Sequence, residues 1–346
     1  MQGSNKNNKI FATTFLEGLS DPRFASSVDV IPVPPRLDLL PRKPFRLRDE
    51  ISLFVNVLIA GMKNKGLLLF SSRGHLKPEL SAIILFGFMP KKIRPKIVVY
   101  GEMFEPNAGL RHVVERIVMK LVDRGTELFA VYSFAEIRVF EDTWGIPSNK
   151  IRVNPFFRLT SASESPEDDQ IKPRGSHLFA GGNSMRDYEM LVRAAGKIPE
   201  EEIIVCTKML DGREDIPPNI KISWPRLELY NEYLDTAAAV IIPLQVNLKR
   251  TAGLLTIMDA MYARRLIIVP DATGISELIS HQETGLIVAN NPESYVEAIQ
   301  WALDPSNAEK ADQICEEAHN VVLSKCTLES HISRLLNIMD EAISAD

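Results

Sequence analysis

The chain has few of the residues that build metal centres or disulfide frameworks. Its 346 residues include three cysteines, Cys206, Cys315 and Cys326, which lack the paired spacing of zinc ligands. An odd number of scattered cysteines forms no disulfide framework and favours a reducing, cytoplasmic setting. The acidic cluster EDD at 167–169 lies in a polar tract without partner ligands. We therefore predict no metal site.

Long hydrophobic runs are also missing. The longest, around 51–61 and 80–89, fall well short of the ~20 residues that a membrane-spanning helix needs. The first residues, MQGSNKNNK, are polar and contain no signal-peptide core. With 45% hydrophobic and 25% charged residues, the composition is that of a soluble globular protein, and the length favours two domains.

Positive charge is scarce in the second half and concentrated in the first. Residues 1–160 contain 24 Lys and Arg against 15 Asp and Glu, whereas the net charge of the whole chain is −5. The cations cluster at 42–48, 63–65 and 91–96, and two of these clusters adjoin apolar runs. Such a half suits an anionic partner, namely a membrane surface, a lipid phosphate or a nucleic acid. Alternatively, these clusters of Lys and Arg form a protein surface that is simply exposed to solvent and binds no partner.

Short apolar stretches alternate with helical periodicity along the first half. Such alternation predicts parallel strands covered by helices on both faces of the sheet. The predicted strands are 9–15, 28–34, 66–72, 96–101, 127–133 and 150–155, and the predicted helices are 49–62, 77–88, 109–123 and 134–144. An apolar stripe typical of a packed helix runs along the third helix and consists of Leu110, Val113, Val114, Ile117, Val118 and Leu121.

A break rich in Ser, Pro and acidic residues at 155–176 precedes a second half with the same alternation. Strands are predicted at 177–182, 201–208, 219–225, 266–271 and 284–289, and helices at 185–198, 226–238, 292–304 and 308–344, the last broken near Cys326. We expect an α/β protein with two doubly wound, Rossmann-like domains. Their predicted ranges are 1–158 and 177–346, joined by a linker at 159–176.

Residues 239–261 combine a buried strand, a basic loop and a helix that opens with the small residues Thr251, Ala252 and Gly253. Free N–H groups and the positive dipole end at such a turn can hold an anion. Asp259, the only charge on the helix, shares a face with Ala252 roughly 10 Å further along. Phosphate at the turn and sugar hydroxyls near the acid would suit a nucleotide sugar. An ordinary packed helix with one solvated acid explains the same pattern.

The second half resembles the donor domain of GT-B glycosyltransferases, nearest the large retaining family called GT4. The motifs that carry the resemblance are FAGGNSMRDYEMLVRAA (179–195), VIIPL (240–244), TAGLLTIMDAM (251–261) and PDATGISELISHQETGLIVANNPESYVEAI (270–299). They follow the family's order of a glycine turn, a phosphate turn, an acid before Ala-Met and a G-x-x-E…T-G-L ending. The resemblance implies two domains that face each other across a cleft, with the last helix packing back on the first domain.

The resemblance also implies roles for individual residues. Asp259 stands where the family has a Glu that binds the donor ribose, and residues 251–253 form the turn whose amides meet the diphosphate. Arg186 matches the basic residue that clamps the phosphates. The remaining implied donor contacts are close backbone approach at Gly181 and Gly182, a second counter-charge at Lys208 that can replace a metal, and base stacking on Trp224.

Three features depart from the family pattern. Thr251 replaces the first of two Glu residues separated by seven positions, so the carboxylate that contacts the sugar is missing. Arg264 and Arg265 replace small or turn residues after Ala-Met, and FATTFLEGLS lacks a glycine-rich loop after the first strand.

Polar residues after two first-half strands supply the catalytic candidates, Glu102 and His75. In an inverting enzyme Glu102 would be the general base. In a retaining enzyme, which the resemblance implies, the donor phosphate assists the attacking hydroxyl and Glu102 positions it. Glu102 and His75 can each also be interpreted as an ordinary loop residue with no catalytic role.

The sequence therefore predicts a retaining, metal-independent glycosyltransferase with a nucleoside-diphosphate sugar as co-substrate and no other cofactor. We expect its acceptor to be lipid-linked or an anionic glycan, held by the basic first domain, with no nucleic-acid partner. The expected location is cytoplasmic and peripheral on the inner face of the membrane. Two alternatives stay open, a nucleotide-sugar epimerase of the same fold and a non-catalytic binding module that kept the fold.

Overall fold

The computed structural model describes residues 11–14, 17–33, 47–70, 77–101, 105–158 and 172–345. The chain divides into two compact units, one made of Met1–Pro155 with Leu328–Asp346 and the other of Phe156–Thr327. Each unit contains its own six-stranded parallel sheet with helices, which confirms the predicted fold class. Most of the predicted linker, together with the EDD cluster, lies outside the described residues.

The first sheet has the strand order β2-β1-β3-β4-β5-β6. Its strands are β1 Phe11–Thr13, β2 Val28–Val30, β3 Gly66–Phe70, β4 Lys96–Tyr100, β5 Leu128–Val131 and β6 Ile151–Val153. Each strand falls within a predicted segment. The central strands β3, β4 and β5 are buried almost throughout because helices cover both faces of a parallel sheet.

Among the described residues before Pro155, the helices of this unit are α1 Pro22–Ser27, α2 Leu47–Lys63, α3 Pro78–Gly87, α4 Leu110–Gly125 and α5 Phe134–Val139. Helices α2, α3 and α4 pack side by side. A capping box between Ser133 and Glu136 starts α5, and a π-helical turn at Phe140–Trp144 extends it to Gly145. The last helix of the chain, Leu328–Ser344, packs against β3, β4 and β5.

The second sheet has the order β12-β11-β10-β7-β8-β9. Its strands are β7 Leu178–Gly181, β8 Ile203–Cys206, β9 Ile220–Ser223, β10 Ala239–Ile241, β11 Leu266–Pro270 and β12 Leu286–Val288. Its helices are α6 Tyr188–Ala195, α7 Leu227–Asp235, α8 Leu254–Tyr262, α9 Pro292–Leu303 and α10 Ala308–Lys325. After the predicted break at Cys326 the chain continues as α11, Leu328–Ser344.

Four of the six residues in the apolar stripe on α4 face solvent rather than the core, while Val118 and Leu121 are partly buried. Its exposed members, each more than half accessible, are Leu110, Val113, Val114 and Ile117. The buried side of the helix consists of Glu115, Met119, Val122 and Gly125. Close packing explains the orientation, because a Cβ on Gly125 would lie 2.3 Å from the carbonyl oxygen of Ile83 on α3. In the part of the chain that the structure describes, no helix is long and apolar enough to cross a membrane.

Candidate functional site

The strand order of the second sheet reverses between β7 and β10. From β7 the chain proceeds outward through β8 and β9, whereas from β10 it proceeds in the other direction through β11 and β12. Such a switch point opens a crevice at the carboxyl ends of the strands, where ligands of open α/β sheets bind. The crevice is bordered by the segment after β7 and by the loop between β10 and α8.

The segment after β7 is held by side chains that bond its backbone. Gly182 has a φ of 117°, a conformation that L side chains rarely adopt. Its carbonyl oxygen accepts hydrogen bonds from the hydroxyls of Tyr188 at 2.8 Å and Thr207 at 3.0 Å. The Asn183 side-chain oxygen accepts from the backbone N–H of Lys208 at 2.7 Å, which joins this segment to the end of β8.

Arg186 lies beneath the crevice and is only 6% exposed. Its guanidinium donates to the Gly181 carbonyl at 3.1 Å, to the Ser184 carbonyl at 2.9 Å and to the Thr256 hydroxyl at 3.2 Å. It therefore joins the segment after β7 to the first turn of α8. Burial lowers the pKa of Arg186 from its usual range. A buried cation whose pKa falls for want of solvation favours an anionic ligand nearby.

The amino end of α8 borders the crevice beside Arg186, which donates to Thr256 on its first turn. Gly253 caps the helix with a φ of 78°, while the side chains of Thr251 and Ala252 are buried. The first N–H groups of a helix have no helical acceptor and carry partial positive charge. Arg250, also buried, donates to the Ser184 hydroxyl at 3.4 Å. Two buried guanidinium groups and a helix amino end thus surround one segment.

Lys208 and Trp224 follow the neighbouring strands β8 and β9 and lie together. The Lys208 ammonium is 4.8 Å from the centre of the Trp224 ring, which is half exposed. A cation over an indole ring is attracted by the ring's electrons. Lys208 therefore supplies an exposed positive charge beside the crevice, and one face of Trp224 is already occupied by this cation.

Asp259 lies on the second turn of α8 and is partly buried. It forms an ion pair with Arg158 at 3.8 Å, and the Arg158 guanidinium is 3.5 Å from the centre of the Tyr262 ring. Burial raises the pKa of Tyr230, and the charge of Asp259 adds to that rise. The Tyr230 hydroxyl also adjoins Gly181, where a Cβ would lie 2.5 Å away. Tyr230 thus connects Asp259 to the start of the segment after β7.

Most of the predicted donor-site residues converge on this crevice. Hydrogen bonds join Arg186 to Gly181 and to Thr256, on the helix that the turn at Thr251, Ala252 and Gly253 opens and that carries Asp259. Gly182 adjoins the Arg186 guanidinium, and Lys208 is bonded to Asn183 and lies over Trp224. Glu102 and His75 lie outside the described residues, so their roles stay predictions.

Sequence reasoning did not identify four side chains that hold the site. These are Asn183, Thr256, Tyr230 and Arg250. Arg250 directly precedes the 251–253 turn, and Asn183 directly follows the pair Gly181 and Gly182. Their positions next to these motifs are a sequence signal that could have identified both. Nothing in the helical pattern of 226–238 distinguishes Tyr230 from its neighbours.

A family model described as Glycosyl transferases group 1 matches residues 183–305, which include most of this crevice. The match covers less than half of the chain. A search of curated proteins finds no match. The matched region holds Arg186, Lys208, Trp224, the 251–253 turn and Asp259, whereas the glycine pair lies just before it.

Solved structures share the fold over nearly the whole chain. A glycosyltransferase from Rickettsia africae ESF-5 is 16% identical, with a TM-score of 0.70, and the alignment covers 99% of this chain and 100% of that one. Anabaena HepE in complex with UDP is 13% identical, with a TM-score of 0.65 and coverage of 96% and 99%. WaaG, a glycosyltransferase involved in lipopolysaccharide biosynthesis, is 13% identical, with a TM-score of 0.56 and coverage of 90% and 86%. The fold is therefore GT-B, and together with the family match it supports a glycosyltransferase.

Proposed function

We propose that the chain is a retaining, metal-independent glycosyltransferase of the GT4 type that uses a nucleoside-diphosphate sugar. The observation that supports this best is the meeting of three positive groups at the switch point. Arg186, Arg250 and the amino end of α8 surround the segment after β7. Anabaena HepE was solved in complex with UDP-glucose, a donor of this class.

The diphosphate of the donor would bind between the amino end of α8 and the segment after β7. Backbone N–H groups of the 251–253 turn would donate to its oxygens, and Arg186 would supply positive charge from below. Lys208 would add a mobile charge from the side. These groups would stabilise the negative charge that develops on the leaving nucleoside diphosphate, which is the task a metal ion performs in other transferases.

The sugar transfer would proceed on one face of the donor. The acceptor hydroxyl forms the new bond to the anomeric carbon while the bond from that carbon to the phosphate oxygen breaks. The proton of the hydroxyl passes to the leaving phosphate. Asp259 would accept hydrogen bonds from the ribose hydroxyls, and Glu102 and His75 keep their predicted roles on the acceptor side. The acceptor we propose is lipid-linked or an anionic glycan, used at the inner face of a membrane.

Titration calorimetry against UDP, UDP-glucose, GDP and ADP tests the donor site. We expect binding of at least one of these ligands, weakened about tenfold or more by Asp259→Ala and by Arg186→Lys, because each substitution removes hydrogen bonds to charged groups. The matched control is Asp312→Ala, which removes an ion-paired acid from another part of the same unit. Addition of EDTA should leave turnover unchanged.

Three results would contradict parts of the proposal. Failure of every nucleotide to bind, or equal binding by all variants, would remove the donor site from the switch point. Conversion of the sugar nucleotide without an acceptor would indicate an epimerase. Binding without turnover in the presence of a membrane lipid extract would indicate a binding module.

A further inference from the structure

Helix α2 is apolar on its solvent side as well as on its core side. The core side consists of Leu53, Val57 and Gly61. The exposed apolar side chains recur every three or four positions and are Leu47, Ile51, Val55, Ile59 and Met62. A surface helix of a soluble protein ordinarily carries polar residues there. The second apolar side of α2 is therefore unexplained by the fold.

The neighbouring helices extend this apolar surface. Leu85 and Phe88 are exposed at the end of α3, and the outward stripe of α4 includes Leu110, which is 85% exposed. The helices approach closely, because a Cβ on Gly61 would lie 2.3 Å from the Phe86 ring. We call the combined surface the outer helix face; it consists of Leu47, Ile51, Val55, Ile59, Met62, Leu85, Phe88, Leu110, Val113, Val114 and Ile117.

The three helices of the outer helix face and the loop after α3 carry exposed cations, whereas the acidic side chains of these helices are at least partly buried. The exposed basic residues on the three helices and the loop after α3 are Arg48, Lys63, Lys91, Lys92, Arg111, Arg116, Lys120 and Arg124. The Arg124 guanidinium lies 5.1 Å from the centre of the Phe88 ring. Every acidic side chain of the three helices is partly or fully buried. Asp123, for example, pairs with Lys150 at 2.9 Å.

We propose that the outer helix face binds the surface of an anionic phospholipid membrane. Aliphatic side chains enter the boundary between headgroups and acyl chains, and the exposed Lys and Arg side chains contact lipid phosphates. Charge complementarity favours this occupant over a second copy of the chain, since a two-fold contact would bring the same cations together. This inference deepens the membrane location put forward in the proposed function and rests on it, but no donor-site residue takes part, so vesicle binding and nucleotide binding can fail separately.

Co-sedimentation of the full chain with vesicles tests the proposal. We expect binding to vesicles of phosphatidylcholine mixed with phosphatidylglycerol and little binding to phosphatidylcholine alone. The double variant Val114→Glu, Ile117→Glu should weaken binding to the mixed vesicles by about tenfold or more, because two buried aliphatic contacts are replaced by repelled charges. Both positions are exposed, so the fold tolerates the change.

A second variant separates charge from apolar contact. Lys91→Glu, Lys92→Glu reverses two exposed charges and should also weaken binding about tenfold or more, with the difference from wild type shrinking at high salt. The matched controls are Leu323→Glu and Lys310→Glu, which place the same changes at exposed positions on α10. Neither control should alter vesicle binding.

Several outcomes would overturn the assignment. Equal binding to neutral and anionic vesicles, or unchanged binding by both double variants, would remove the membrane as partner. A dimer that the Val114→Glu, Ile117→Glu variant dissociates in sedimentation velocity would assign the face to a second copy. All variants should keep nucleotide binding and the thermal unfolding midpoint of the wild type, which would confirm that the donor site and the fold are intact. A change in vesicle binding then reports on the outer helix face alone.

Discussion

Gly182 constrains the candidate site through both its backbone conformation and its contact with Arg186. Its φ of 117° disfavours any L side chain, and a Cβ there would lie 2.7 Å from Nη2 of Arg186. Substitution would therefore strain the backbone and displace the guanidinium that joins β7 to α8. We expect Gly182→Ala to lower the free energy of unfolding by about 1–3 kcal/mol and to weaken nucleotide binding.

Gly212 provides the matched control for this prediction. It also has a left-handed φ, of 76°, but a Cβ there would meet nothing within 4 Å. Gly212→Ala should cost stability without changing nucleotide affinity. Calorimetric titrations of both variants with UDP and GDP, beside their denaturation curves, separate strain from displacement of Arg186. Equal affinities in the two variants would show that Arg186 does not need its present position.

A buried histidine in the first unit makes stability depend on pH. His331 on α11 is fully buried, shares a hydrogen bond of 2.8 Å with the Pro155 carbonyl and lies 3.2 Å from the Asn154 amide nitrogen. Burial lowers the pKa of His331 to about 4 from 6.5. The unfolded chain thus gains a proton at this residue at higher pH than the folded chain.

The contribution of His331 to stability should therefore fall as the pH drops from about 6.5 to about 4 and level off below, because only the unfolded histidine is protonated in that range. The expected loss from His331 is about 3 kcal/mol. Urea unfolding of the full chain at several pH values measures it. His331→Gln should be less stable at neutral pH yet lose less on acidification. His281→Gln, at an exposed histidine, should keep the wild-type pH dependence.

Individual site residues could be predicted from the sequence only where a motif marks them. Arg186, Gly182 and the 251–253 turn sit in an ordered set of motifs, and the structure brings them together. Arg250 looks like half of a surface Lys-Arg pair, yet its side chain is buried against Ser184. Burial of a charge depends on contacts between distant segments, here β7 and β10, which local sequence does not encode.

Helix α8 ends on a residue in an unfavourable conformation. Arg264 follows the helix with a φ of 54°, a position that glycine occupies in most helices that end this way. Its guanidinium pairs with Glu316 at 2.8 Å, but Glu316 is half exposed and such a pair adds little. We expect Arg264→Gly to raise the stability of the second unit by up to about 1 kcal/mol, because relief of the steric strain of left-handed backbone exceeds the extra entropy that glycine loses on folding.

The variant Arg264→Ala separates the two contributions at this helix end. It keeps the left-handed strain and loses the ion pair, so it should be no more stable than wild type. Thermal unfolding of the three proteins gives the order that distinguishes strain from pairing. If Arg264→Gly and Arg264→Ala both melt below wild type by the same amount, the ion pair rather than the backbone controls this end of α8.

The sequence predicts where strands and helices occur better than it predicts which face of a helix is buried. Each predicted strand contains an observed one, because Pro, Gly and charged residues bound the apolar runs on both sides. The periodicity of α4 located its apolar stripe but not the direction in which it points. That direction depends on Gly125, whose missing side chain lets the opposite face approach α3. Periodicity reports that a helix has two faces, and only packing decides which of them is buried.

At the scale of the molecule, the chain builds its first unit from two distant parts of the sequence. Residues before 156 supply the sheet, and α11 returns at Leu328 to cover β3, β4 and β5. The second unit is continuous between these points and has its own sheet and core. Removal of α11 should therefore affect the two units differently.

We expect a chain truncated after Thr327 to lose the fold of the first unit and to keep that of the second. Helix α11 buries Ile332, Leu335, Ile338 and Met339, and fully burying each such side chain stabilises a domain by about 1.5–3 kcal/mol. Their sum is comparable to the whole free energy of unfolding of a domain, about 5–15 kcal/mol. Limited trypsin digestion should then degrade the first unit and leave a protected fragment within 172–327 that still binds nucleotide. Wild-type protease resistance of the first unit would show that its sheet is stable without α11, and loss of nucleotide binding by the fragment would show that the second unit depends on the first.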